Sequence, residues 1–222
     1  MGTSIDGRIV VDRWPEAVSS ALRTAYEQVH ASYDAQGWIC GRITMEPFAK
    51  GVRPESDVAR EYAARTPRKD FRAPGDFDSF AFAVDPRGRL AWESNDISGD
   101  HVVAILSERV SDDYLALLRA RGVSYLLAGG AEVDLSLALE KIGSRFGVRT
   151  LMLEGGGRIN GGFLRAGLVD EVSLLIAPVA DGAEGEPSLF DVSDSRAYRL
   201  VLESFERRAE DILWLRYRVE NR

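Results

Sequence analysis

The sequence predicts an α/β fold: a mixed, mainly parallel sheet with helices on both faces and a C-terminal antiparallel hairpin. Three observations carry this. Short β-branched runs alternate with amphipathic stretches of helical spacing. Several β-helix-β units follow one another, the pattern of a parallel sheet covered on both faces. The tail from Tyr198 to Val219 then reads as two strands bent near Arg208-Ala209-Glu210-Asp211, which makes the sheet mixed.

Taken in order, Ile5 to Val11 reads as a strand with a turn at Asp6-Gly7. Glu16 to Ala31 spaces Val18, Leu22, Ala25, Tyr26 and Val29 as one face of a helix. Trp38 to Gly41 is a short buried strand, and Thr44-Met45-Glu46 begins a turn or short helix. Residues 51–78 carry Pro54, Pro67 and Pro74 together with Arg53, Arg60, Arg65, Arg68, Lys69 and Arg72. Apart from a short helix near Val58 to Ala64, that stretch reads as a long, solvated surface excursion. Phe80 to Val84 and Arg89 to Trp92 flank the turn Asp85-Pro86-Arg87-Gly88, as a hairpin or a strand and its continuation.

His101 to Ser107 is a strand, and Ser111 to Arg121 is a helix with Ser111 as N-cap and Gly122 just past its end. Ser124 to Ala128 is a strand closing on Gly129-Gly130. Asp134 to Phe146 is a helix capped by Asp134 and followed by Gly147. Arg149 to Leu153 is a strand, Arg158 to Ala166 a helix and Glu171 to Pro178 a strand. There is no internal repeat and no composition break of the kind a linker makes, so one domain spanning 1–222 and one sheet is the economical reading.

Composition bounds the function. Of 222 residues, 45% are apolar and 28% charged, which is ordinary globular usage. The formal net charge of -7 disfavours nucleic acid or an anionic membrane as partner. One cysteine, Cys40, cannot form an intramolecular disulfide and reads as a small buried residue. No uncharged apolar run reaches membrane-span length and the N-terminus has no signal-peptide core, so a soluble, cytoplasmic protein with a small-molecule or protein partner is expected. His30 and His101 are too few and too far apart in sequence for a metal cluster, so no metal is expected.

The strongest local signal is the run from Leu151 to Gly162, LMLEGGGRINGG, in which a buried strand ends in three glycines and a helix begins at once. Glycines let backbone N–H groups approach a ligand, and the helix N-terminus presents its positive end, a combination suited to phosphate or pyrophosphate. A tight turn with no ligand fits the same residues. Glu154 stands at the C-terminal end of that strand, where open α/β sheets bind ligands; it can accept hydrogen bonds from a heterocycle or ribose, or cap its own turn. Cys40-Gly41-Arg42-Ile43-Thr44 repeats the strand-to-glycine pattern, with Thr44 and Arg42 as phosphate contacts or Thr44 as an ordinary N-cap. Ser107 and Arg109, closing another strand, can meet an adenosine 2′-phosphate or simply shape a loop.

In combination these segments resemble a known family. Gly41-Arg42-Ile43-Thr44 resembles the G-R-x-T turn of dihydrofolate reductase-like proteins. The run Leu153 to Asn160-Gly161, then Phe163 to Glu171 and Ile176-Ala177-Pro178, resembles the reductase domain of bacterial riboflavin biosynthesis proteins. Thr3-Ser4-Ile5-Asp6-Gly7 is similar to that family's S-x-D-G opening, and Val84-Asp85 with Gly88-Arg89-Leu90 to its middle strand and turn. The resemblance runs from Thr3 to about Val219.

It implies a dihydrofolate reductase-like three-layer fold, NADPH as hydride donor and a homodimer. Carried over, Thr44 with Gly41 and Arg42 meets the cofactor phosphates. Gly156, Gly157, Arg158, Ile159, Asn160 and Gly161 line the pyrophosphate and nicotinamide side. Thr3 lies near the nicotinamide, Pro86 stands where a cofactor-contacting Ser is common, and Glu154 falls where the family holds its substrate. The implied reaction reduces the ribosylamino side chain of a 5-amino-6-(5-phosphoribosylamino)uracil-type compound. Reduction of a dihydrofolate-like or other heterocycle, and a catalytically silent nucleotide-binding protein, remain open beside it. Three departures stand out: the chain starts three residues before Ser4, where the family strand carries a basic residue; the helix position that supplies an Arg for the substrate phosphate falls near Ser32, with His30 as the nearest alternative; and the loop after Thr44 reads Met45-Glu46-Pro47-Phe48. No His/Cys zinc spacing of a deaminase is present, and the catalytic residue is not identified by sequence.

Overall fold

In a computed structural model, which describes residues 1–52, 67–191 and 197–220, the strands sort into two hydrogen-bonded sheets rather than the one expected from their order. The chain divides into two compact units, Ala35–Leu153 and Met1–Asp34 with Glu154–Arg222. Each holds one sheet.

The central unit carries β2 (Gly37–Gly41), β3 (Phe80–Val84), β4 (Asp96–Ile97), β5 (Asp100–Leu106), β6 (Ser124–Leu127) and β7 (Leu151–Leu153). The order is β4-β5-β3-β2-β7, with β6 also paired to β5. All pairings are parallel except β4 with β5. Every residue of β3, Phe-Ala-Phe-Ala-Val, is buried. Because strand side chains alternate, its two faces meet different helices. Ala81 and Ala83 join Trp38, Cys40, Val102, Ala104, Leu106 and Tyr125 in one core cluster with Tyr114, Leu115 and Leu118 of α3 (Asp112–Ala120). Phe80 and Phe82 point the other way and meet Phe146 of α4 (Leu135–Phe146) edge-on at 5.2 and 5.7 Å. Burying a side chain of this size stabilises by about 1.5–3 kcal/mol.

The helix ends follow from their caps. Ser111 accepts the Tyr114 N–H at 3.2 Å and Asp134 accepts that of Leu137 at 3.0 Å. Gly147 closes α4 at φ +73°, a conformation that costs glycine nothing.

The second unit carries β1 (Gly2–Thr3), α1 (Glu16–Ser32), α5 (Gly157–Arg165), β8 (Glu171–Ile176), β9 (Leu200–Arg207) and β10 (Leu213–Val219). Its sheet order is β1-β8-β10-β9, with β1 parallel to β8 and the rest antiparallel. The C-terminal hairpin is thus present, turning through a 3₁₀ segment at Ala209–Asp211. Leu22, Ala25 and Val29 of α1 pack on Leu175, Ala177 and Ile212.

Two strand expectations are corrected. The strand expected over Ile5 to Val11 is shifted to Gly2–Thr3, because Asp6 turns the chain: its carboxylate accepts the N–H groups of Asp181 and Gly182 at 2.9 Å and the Ser4 hydroxyl at 2.7 Å. Arg89 to Trp92 is not a strand. Buried Asp85 takes the Arg89 and Leu90 N–H groups at 2.6 and 2.8 Å, which holds them in a turn rather than a ladder. The 51–78 excursion is mostly exposed where it is described, but it is anchored: Phe71 bridges Tyr125, Ala73 is buried, and Asp70 accepts from the Leu127 N–H at 2.9 Å while pairing with Lys141 and Arg145. The helix expected near Val58 to Ala64, with Arg53, Arg60 and Arg65, lies outside the described residues.

His101 is a core histidine. Its Nε2 is 2.7 Å from the Ser124 Oγ and its ring stacks on Phe77 at 3.7 Å. Burial, aided by Arg72, pushes its pKa down to about 4. Since the unfolded chain takes up this proton near the ordinary histidine value of about 6.5, the buried neutral ring contributes nothing to pH dependence above that pH and costs stability as pH falls from there to about 4. The stability difference between wild type and His101→Gln should therefore narrow by up to about 3 kcal/mol between pH 7 and pH 4. Urea unfolding at the two pH values measures it, and a pH-independent difference would contradict the assignment.

Candidate functional site

The parallel strands of the central unit all end at one edge, and there the structure gathers part of the predicted constellation. Gly41 ends β2 and caps α2 (Arg42–Met45), so Thr44 is not an N-cap; it stands exposed inside this single turn. The Arg42 guanidinium pairs with Glu46 one turn on. On the neighbouring strand β3, Asp85 follows directly; burial raises its pKa, opposed by the Leu90 and Arg89 N–H groups and by the charges of Arg42 and Arg89. Its Oδ1 is buried with no hydrogen-bond partner. On β5, the next strand, buried Ser107 donates its hydroxyl to the Pro86 carbonyl at 2.7 Å and accepts the Arg109 N–H at 3.3 Å. Arg109 itself is exposed. Gly41, Arg42, Thr44 and Ser107 thus share one edge, with the turn starting at Asp85 between them.

The remaining predicted residues lie in the other unit. Thr3, on β1, is buried and donates its hydroxyl to the Ser4 carbonyl at 2.5 Å. Glu154 leads into the Gly155-Gly156 peptide, which is cis, and α5 starts at Gly157 with Gly156 as its cap. Gly156, which has no side chain, stands at the cap position of α5 in an extended conformation. The first N–H groups of α5, those of Gly157 and Arg158, have no partner within the helix by its geometry. Gly157 must be glycine: a Cβ there would lie 2.2 Å from the Ser188 carbonyl and 2.6 Å from Asp191 Oδ2. Arg158 is exposed, Ile159 half-buried and Gly161 buried. Asn160 is buried; its Nδ2 donates to the Leu189 carbonyl at 3.0 Å, while its Oδ1 has no partner.

Glu154 meets a residue that sequence spacing could not pair with it. The His30 Nε2, in the last turn of α1, lies 3.1 Å from Glu154 Oε1. Tyr26, one turn earlier, stacks on the imidazole at 6.5 Å between centroids. The Met1 amine donates to the Ser173 carbonyl at 3.0 Å; burial lowers its pKa to about 6 against the opposing charge of Glu154. The Ser32 hydroxyl donates to the Val29 carbonyl of its own helix at 2.7 Å. Among the described residues no group of three or more His, Cys, Asp or Glu is arranged to hold a metal ion, and no helix is long and apolar enough to cross a membrane.

A family profile, the RibD C-terminal domain, matches residues 1–214. A 2,5-diamino-6-ribosylamino-4(3H)-pyrimidinone 5′-phosphate reductase of Methanothermobacter thermautotrophicus is 36% identical over 120 residues, 54% of each chain. A protein of the same name from Aquifex aeolicus is 35% identical over 83 residues, 37% of each. The chain thus aligns with about half, or less, of these curated relatives. Among solved structures, a pyrimidine reductase-like protein of Corynebacterium diphtheriae superposes with a TM-score of 0.70 at 20% identity, covering 98% of this chain and 89% of that one. Acinetobacter baumannii RibD gives 0.65 at 18% identity, covering 99% of this chain and 56% of its own. These likenesses establish the fold.

The tight approach at α5 predicts a contrast between two glycines. Gly157→Ala should lower stability by about 1–3 kcal/mol, because backbone lies where its methyl must go. Gly143→Ala, inside α4 with its nearest neighbour at 3.6 Å, should raise it by about 0.5–1 kcal/mol. Urea titration of both variants gives the sign of each; equal effects would contradict the packing at Gly157.

Proposed function

The chain belongs to the RibD C-terminal domain family, and from that membership we propose that it is an NADPH-dependent reductase. Its proposed substrate is a 5-amino-6-(5-phosphoribosylamino)uracil-type compound of riboflavin biosynthesis, with residues 1–222 serving as one reductase domain. The observation that carries the reading is the glycine turn 155–157, which leads directly into the N-terminus of α5 in a chain whose profile match spans 1–214.

The residues suit a nicotinamide dinucleotide. Gly156, Gly157, Arg158, Ile159 and Gly161 offer backbone donors and a helix N-terminus to pyrophosphate oxygens. Asn160 Oδ1, buried and unpartnered, is an acceptor of the kind a carboxamide N–H requires. Gly41, Arg42 and Thr44 contribute phosphate contacts, and Ser107 holds the turn that presents Arg109, a suitable counter-charge for a 2′-phosphate. Thr3 and Glu154 face the reacting groups, Glu154 on the substrate side. The cofactor supplies the hydride; the protein binds, orients and excludes water.

We place the enzyme in the cytoplasm as a homodimer. Leu202, Phe205 and Leu213 of the hairpin are exposed, and the strand register puts them on one face of their sheet, an apolar surface suited to a second copy.

Incubation with NADPH and the ribosylaminopyrimidine phosphate should consume the reduced-nicotinamide absorbance; tight NADPH binding without turnover would reject this substrate, and dihydrofolate in the same assay tests the other heterocycle. Gly156→Val should weaken NADPH binding at least 10-fold by calorimetry and leave the unfolding midpoint near wild type. Unchanged affinity would contradict the placement of the cofactor.

A further inference from the structure

We propose that His30 and Glu154 form a proton-relay pair: Glu154 gives the proton that the reduced substrate takes up, and His30 replaces it from water. The relay rests on the reductase reading above.

The geometry divides the two tasks. Glu154 is the inner member, its side chain only 16% exposed, while His30 is 39% exposed and so reaches solvent. The His30 Nε2 and Glu154 Oε1 atoms approach to 3.1 Å, a distance over which a proton passes once the two groups align. The Tyr26 ring, one turn back on α1, flanks the imidazole at 6.5 Å between centroids. The other charged groups of this neighbourhood leave the pair intact. The Met1 amine, just before β1, acts on Glu154 through charge and donates a hydrogen bond to the Ser173 carbonyl. Arg216 from β10 is held by Glu171 of β8, at 2.9 and 2.7 Å, and by the Tyr33 hydroxyl at 3.2 Å. His101, the other histidine, is confined to the core of the central unit.

Reduction of a carbon–nitrogen double bond needs this service. As the carbon accepts a hydride from the dihydronicotinamide, the π-electron pair moves to nitrogen, which needs a proton. Glu154 in its carboxylic acid form donates that proton and becomes a carboxylate. His30 then passes the Nε2 proton to the carboxylate and regains one from solvent. The sum is reduced cofactor, one proton and imine giving oxidised cofactor and amine. Glu154 is thus the catalytic acid and His30 the positioning residue that restores it.

The test compares wild type with His30→Gln, His30→Ala, Glu154→Gln and the double variant His30→Gln/Glu154→Gln. NADPH affinity should stay within about 2-fold in all of them. For each variant kcat should fall about 10²-fold with KM changed much less, and the double variant should be no slower than Glu154→Gln alone. Added imidazole should restore at least part of the lost kcat in His30→Ala. In the free protein, ¹⁵N NMR of the two imidazoles should show the His30 Nε2 signal displaced by Glu154→Gln and the His101 signals unmoved. Unchanged kcat in His30→Gln, absence of imidazole rescue, or an undisplaced His30 signal overturns the relay alone. Absence of turnover in wild type overturns it together with the reductase reading.

Discussion

The constraint on which the central unit depends is that β3 has no solvent face. Five consecutive buried residues require a neighbouring strand on each side and a helix layer on each face, because every backbone polar group must be paired and every side chain covered. β2 and β5 supply the pairing, α3 and α4 the cover. Parallel pairing brings the carboxyl ends of the three strands to one edge, where Gly41, Asp85 and Ser107 follow one another across the sheet. Chemistry-bearing residues cluster there because the polar loops can emerge from the buried strands only at their ends.

The second unit solves a different problem. It must hold a glycine turn still, and it does so with contacts from segments far away in sequence. Gly157 gives up its side chain so that Ser188 and Asp191 can approach, and Asn160 reaches the Leu189 carbonyl. Asp6 gathers Asp181 and Gly182 while Trp14 donates to Asp181 at 2.7 Å. The oxygen of Asn160, held in place by these contacts, has no hydrogen-bond partner among the described residues, which is what a ligand donor needs.

Local signals made much of this legible. Phe80 to Val84 is a strand with the expected bounds, and Ser111, Asp134, Gly122 and Gly147 mark the ends of α3 and α4, since capping depends on neighbours within a few residues. The failures come from burial and tertiary pairing, which local composition does not state. Arg89 to Trp92 has strand composition, but a buried carboxylate takes its donors. Ile5 to Val11 is turned aside by a loop more than 170 residues on. The division into two sheets was hidden, because the order of strands along the chain does not state which will pair. At the site, the residues of the glycine turn were legible from their types alone; the contact of Glu154 with His30, 124 positions away, was not.

The central claim is that this chain delivers a hydride from a nicotinamide cofactor to the ribosylamino carbon of an aminopyrimidine phosphate. The most direct measurement is mass spectrometry of the product formed with NADPH deuterated at both positions of nicotinamide C4. The account predicts one deuterium at the former C1′ of the sugar in every product molecule. Product without deuterium, or label at another carbon, would contradict it.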